Sequence, residues 1–193
     1  MFAHTVLVLG LLLFLGPHSL RIFADDWRHR RVAALGEKRW KGIYAAVAAV
    51  GLVLVVWGYG LTRDVPVAIW SAPVWTRHLA AVLTLPAFVL LVAAYLPGSH
   101  IKATLRHPML AGTALWAFAH LLANGTLADL LLFGGFLAWS ATDFVSARRR
   151  EPTSRITRPA LKVDATAVLL GIVAWAIFAR FLHGPLIGVP PFV

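Results

Sequence analysis

Six long apolar runs, separated by short connections that hold the charges, organise this sequence. They fall near Ala3–Phe23, Gly42–Leu61, Val74–Leu96, Met109–Ala123, Leu127–Val145 and Ala165–Leu182. A helix needs about 20 mainly apolar residues to cross a bilayer, and each run approaches or meets that length, the fourth being short. Between runs four and five, Asn124-Gly125-Thr126 leaves room only for a reversal, so those two form an antiparallel hairpin. The pattern predicts an all-α, polytopic integral membrane bundle of about six transmembrane helices, a single domain over residues 1–193. The first run has neither the basic start nor the small-residue cleavage site of a secretory signal, so it is expected to stay as a helix.

Composition strengthens this picture. The chain is 60% hydrophobic and only 13% charged, with a mean hydropathy of +0.77; a soluble domain runs at roughly 45–50% apolar and 25% charged. With no cysteine, disulfides, thiolate metal sites and cysteine nucleophiles are excluded. The net charge of +10 suggests nucleic acid until its distribution is considered. Seven Lys and Arg (Arg21 to Lys41) flank the first connection, two (Lys102, Arg106) the third and six (Arg148 to Lys162, including Arg155) the fifth, leaving only Arg63, Arg77 and Arg180 for the other side. The positive-inside rule then puts both termini outside and the odd connections in the cytoplasm. Arg148-Arg149-Arg150 next to a helix end is what attraction to anionic membrane lipid calls for. No aromatic-interleaved basic groove accompanies the cations, so no nucleic-acid partner is expected.

Candidate chemistry rests on the eight histidines, because an ionisable side chain at membrane depth is a functional hypothesis by default. The acids fall in connections or near helix ends, which leaves little for a paired-carboxylate mechanism. His18 follows Pro17, whose missing N–H disturbs the helix there and can aim the imidazole inward; the plainer alternative is an interfacial histidine bonded to a freed carbonyl. Gly112, Trp116, His120 and Asn124 recur every four residues and share one face of the fourth helix. Such a face suits a planar cofactor with an axial imidazole, though spacing alone favours a helix seam of small and polar residues. His107 stands before Pro108, a good first helical residue, and His78 lies near the outer mouth of the third helix. His4, His29, His100 and His183 fall at ends or in loops, where a solvated role is expected. A histidine-only zinc site lacks supporting spacing.

The segments Gly16-Pro17-His18-Ser19-Leu20-Arg21, Leu35 to Tyr44, Val56-Trp57-Gly58-Tyr59-Gly60 and Tyr95-Leu96-Pro97-Gly98 resemble the NnrU family of bacterial membrane proteins. The longest matching stretch is Arg106-His107-Pro108-Met109-Leu110 with Leu115 to Gly125. The resemblance implies a multi-pass protein of the bacterial inner (cytoplasmic) membrane, associated with nitrite and nitric oxide reduction in denitrification, with the reductases or their maturation proteins as partners. The family is similar in turn to the plant zeta-carotene isomerase, a membrane haem b protein. That similarity implies haem b, with His18 and His120 as axial ligands to the metal and a redox or isomerase-like activity. Ala117 stands where the plant family offers a cysteine, so thiolate ligation is unavailable. Arg21 and Arg106, beside His18 and His107, are the expected partners of anionic propionates.

His18 and His120 stay first as the ligand pair, with His107 and His78 in reserve, although depth arithmetic favours other pairings. His18 lies about 7 Å and His120 about 16 Å from the cytoplasmic boundary, an offset of roughly 9 Å; by depth His18 pairs better with His107, and His78 with His120. Two rival functions remain: a non-enzymatic scaffold or maturation factor for a reductase, and a small S-adenosylmethionine-dependent membrane methyltransferase. Arg106-His107-Pro108 resembles the latter, but Ser146–Pro152 supplies only Glu151 where those enzymes carry an acidic pair.

Overall fold

The structure, a computed structural model, describes residues 1–151 and 158–191; Pro152 and Arg155 lie outside the described residues. Among these the chain is helical throughout its regular structure, in the order α1 Phe2–Phe23, α2 Asp25–Leu35, α3 Glu37–Thr62, α4 Val74–Tyr95, α5 His100–Leu105, α6 Pro108–Ala123, α7 Leu127–Arg150 and α8 Leu161–Ile177. A π-helical turn, Phe178–Leu182, leads directly into α9, His183–Ile187. Helices α1, α3, α4, α7 and the continuous Leu161–Ile187 segment are long and apolar enough to cross a membrane, while α6 is shorter. The chain is thus a polytopic helical bundle. Many large apolar side chains point outward, among them Val53, Val56, Val82 and Leu169, as lipid-facing surfaces require.

Small residues set the packing, because between helices in lipid van der Waals fit replaces the hydrophobic drive. On the α1–α3 seam a Cβ added at Gly10 would fall 2.5 Å from the Val55 backbone nitrogen, and one at Gly51 2.5 Å from that of Phe14. Gly171 of α8 meets Val89 of α4 in the same way, and Gly112 of α6 lies against the Ala87 carbonyl of α4. Gly112 therefore belongs to a helix seam rather than to a cofactor face. Helix α7 packs on both α6 and α1, closing a core around Leu7, Leu11, Val55, Leu132 and Phe133.

Two helices absent from the hydrophobic pattern occupy the basic connections. Helix α2 begins with Asp25 and Asp26 in its first turn, where carboxylates complement the N-terminal partial charge. It ends at Gly36, whose φ of +80° turns the chain into α3 without steric cost. Trp27 of α2 meets Trp40 of α3 at 5.9 Å, and Arg31 lies over the Trp27 ring, a pairing suited to the membrane interface. Helix α5 is capped by the Ser99 side chain, which accepts from the Lys102 N–H at 3.0 Å. Pro17 sits inside an unbroken α1. The α6–α7 hairpin turns at 124–126 as its sequence predicts, fixed by a reciprocal cap between Thr126 and Asp129. Over it folds the 63–73 loop, with Ile69 and Trp70 N–H groups donating to the Gly125 carbonyl.

Candidate functional site

Two cavities open at opposite ends of the bundle. The basic-side cavity, about 770 Å³, lies where α1, α4 and α7 end and α3 and α6 begin. Six cations line it (Arg21, Arg28, Lys41, Lys102, Arg106 and Arg150) against three carboxylates, Glu37, Asp143 and Glu151. Lys41 pairs with Glu37 at 2.6 Å and Arg150 with Asp143 at 3.2 Å. Arg106 spends its guanidinium on α7, donating to the Glu151 carbonyl at 2.6 Å and the Arg148 carbonyl at 3.3 Å. Its backbone has the one positive φ of a non-glycine residue among the described residues, 64°. Strain of this kind persists only where the surroundings over-determine it; here it makes the turn that sets His107 before Pro108 at the start of α6.

His18 and His107 line this same cavity. The His18 Nδ1 bonds to the Phe14 carbonyl at 2.6 Å, which leaves Nε2 as the nitrogen able to accept or to ligate. Its ring packs on Phe14 at 4.6 Å, Tyr44 at 5.2 Å and Trp139 at 5.8 Å. Two buried nitrogens here have no hydrogen-bond partner: His107 Nε2 and Trp139 Nε1. Buried polar atoms are almost always satisfied, so orphans of this kind call for a ligand or water.

The cavity at the opposite end, about 420 Å³, lies among α3, α4, α6, α7 and the last described turns. Its walls are mostly apolar and aromatic, with polar groups that include Trp116, His120, Asn124, Tyr59, Thr84 and His183, and with Arg63 and Arg77 also lining it. The Asn124 side-chain amide donates to the His120 carbonyl at 2.8 Å and closes the end of α6. Tyr59 donates to the buried Asp129 at 2.6 Å, so that acid serves the hairpin.

The structure therefore places the two histidines implied by the resemblance, His18 and His120, in different cavities. A partition of rings runs between them: Phe14 to Phe136 at 5.8 Å, Phe136 to Trp116 at 5.7 Å, and Trp116 to His120 at 5.0 Å. His18 shares its cavity with His107. His78 is exposed and lines neither cavity, so it is not brought to His120. His183 corrects another expectation. It is half-buried, with its ring centre 6.5 Å from that of His120, carried there by the π-turn that sequence pattern does not reveal. Trp139, Asp143 and Arg150 are not among the residues singled out from sequence, although their spacings of four and seven residues put them on one face of α7.

The family described as NnrU protein matches residues 6–191 of the chain. The chain belongs to the NnrU family. No curated protein and no solved structure matches this NnrU chain significantly.

Proposed function

We propose that this NnrU protein is a haem b-binding protein of the bacterial inner membrane, serving electron transfer or redox sensing connected with nitrite and nitric oxide reduction. The supporting observation is the pair of unpartnered buried nitrogens, His107 Nε2 and Trp139 Nε1, in a cavity that His18 also lines and where cations outnumber carboxylates two to one. The donor set fits the group: neutral imidazoles for iron, an indole N–H and guanidinium groups for propionates, and aromatic rings for the macrocycle. When bound by two imidazoles, a haem b supplies reversible one-electron chemistry.

Each residue then has a defined task. The Phe14 carbonyl holds the His18 tautomer and orientation, the usual arrangement behind a ligating imidazole. His107 offers its free Nε2 in the same cavity. Arg21, whose side chain has no carboxylate partner among the described residues, is free to neutralise a propionate; Arg106 is tied to α7 and holds the wall instead. Phe14 and Tyr44 keep water from the imidazole. The cytoplasmic face of this cavity follows from the positive-inside rule. His120 is left to the other cavity.

An absorption spectrum of the purified full-length protein, expressed with haem supply, tests this reading. A Soret band with sharp α and β bands on reduction, at one haem per chain, is the expected result. A folded, colourless protein that takes up no added haem overturns it and returns the scaffold to first place.

A further inference from the structure

Few cations lie opposite the basic connections, yet two of them line one cavity. Of 18 Lys and Arg, only Arg63, Arg77 and Arg180 fall on that side of the apolar runs, where the positive-inside rule leaves cations scarce. Arg63 and Arg77 both line the cavity of about 420 Å³, and no carboxylate lines it with them. Arg63 follows the last residue of α3 and Arg77 lies in the first turn of α4, so both stand where the helices end. Arg63 is engaged, donating to the carbonyls of Ile187 and Gly188. Arg77 is exposed and has no acceptor among the described residues.

The rest of the cavity suits a hydrocarbon chain. On α4 its lining runs from Arg77 through Ala81 and Thr84 to Phe88, about 16 Å along the helix axis. Among the described residues the α3 backbone approaches neither α4 nor α8, so the cavity is a cleft between them. Val56, 67% exposed, forms part of its α3 wall, which leaves a way in from lipid. Polar side chains further along the cleft bond to the protein itself. Trp175 Nε1 donates to Thr84 at 3.1 Å, Tyr59 to Asp129, and His120 and His183 each bond a backbone carbonyl through Nδ1. A guanidinium at the end of an apolar cleft, with no acid beside it, is complementary to an amphiphile carrying one negative charge. The volume, near the lower end of the roughly 300–1,000 Å³ of small-ligand sites, takes one chain rather than two. We propose that this cavity binds a single-chain carboxylate, a free fatty acid, with its head on Arg77 and its tail between α3 and α4. The site does not rest on the haem reading.

Native mass spectrometry of delipidated, full-length protein titrated with palmitate tests the site. One palmitate should bind per chain. Hexadecanol, a chain of the same length without the charge, should bind about tenfold more weakly or worse, the worth of one charge-assisted hydrogen bond. Arg77→Gln should bring palmitate down to the hexadecanol level, and Ala81→Phe, which fills the cleft, should abolish binding, both with helical circular dichroism unchanged. Arg180→Gln, altered outside the cavity, should bind as the wild type does. No bound palmitate, equal affinity for palmitate and hexadecanol, or undiminished binding in Arg77→Gln or Ala81→Phe overturns the proposal. Displacement of palmitate by equimolar phosphatidylglycerol also overturns it, in favour of a two-chain lipid. Haem is followed separately by its Soret band, so failure of either site leaves the other standing.

Discussion

A buried N–H with nothing to bond costs about 1–3 kcal/mol, and Trp139 Nε1 carries that cost in the basic-side cavity. Trp139→Phe should therefore leave the haem-free protein as stable or more stable by up to about 1 kcal/mol, while lowering haem retention. Thermal unfolding of the haem-free protein and haem stoichiometry check the two halves. Arg21→Gln should lower haem retention without loss of stability. Arg106→Gln should do more, since it also frees the carbonyls at the end of α7; a fall in thermal stability for Arg106→Gln alone is the expected signature. Tyr59→Phe takes one hydrogen bond from the buried Asp129 and should cost about 1–3 kcal/mol by the same principle, with no effect on haem. At this scale the sequence identifies the imidazoles but not their company. His18 and His120 are visible as membrane histidines at different depths, which separates their cavities, yet the rings each meets depend on helix rotation, and His183 depends on a π-turn with no compositional mark.

Among the elements, the apolar runs were legible because about 20 apolar residues have few other uses than a span. The polar helix α2 was not, since it buries none of its residues and so lacks the periodic stripe that reveals a packed helix. Close approach of α1 and α3 rests on glycines, also invisible until the partner helix is known. Gly51→Leu should force those helices apart, because the added carbons meet the Phe14 backbone; overpacking costs about 1–3 kcal/mol. The same change should loosen the His18 imidazole, as its carbonyl partner is Phe14. A lower unfolding temperature together with broader haem absorption bands is the result to look for, and an unaltered melt would contradict the seam.

For the whole molecule, fifteen of 18 Lys and Arg lie on one side of the apolar runs, and the cavity with excess cations opens on that side. Reporter fusions after Arg150 and after Gly125 should report cytoplasm and exterior respectively; the reverse would move the basic-side cavity to the outer face. In the proposed haem site His18 works with His107, which lines the same cavity, rather than with His120 beyond the aromatic partition. Side-by-side spectra of haem-loaded His107→Ala and His120→Ala test that most directly. Low-spin bands should give way to high-spin bands, or haem should be lost, in His107→Ala, while His120→Ala keeps the wild-type spectrum. A low-spin His107→Ala beside a high-spin or haem-free His120→Ala would rule out the His18–His107 pair.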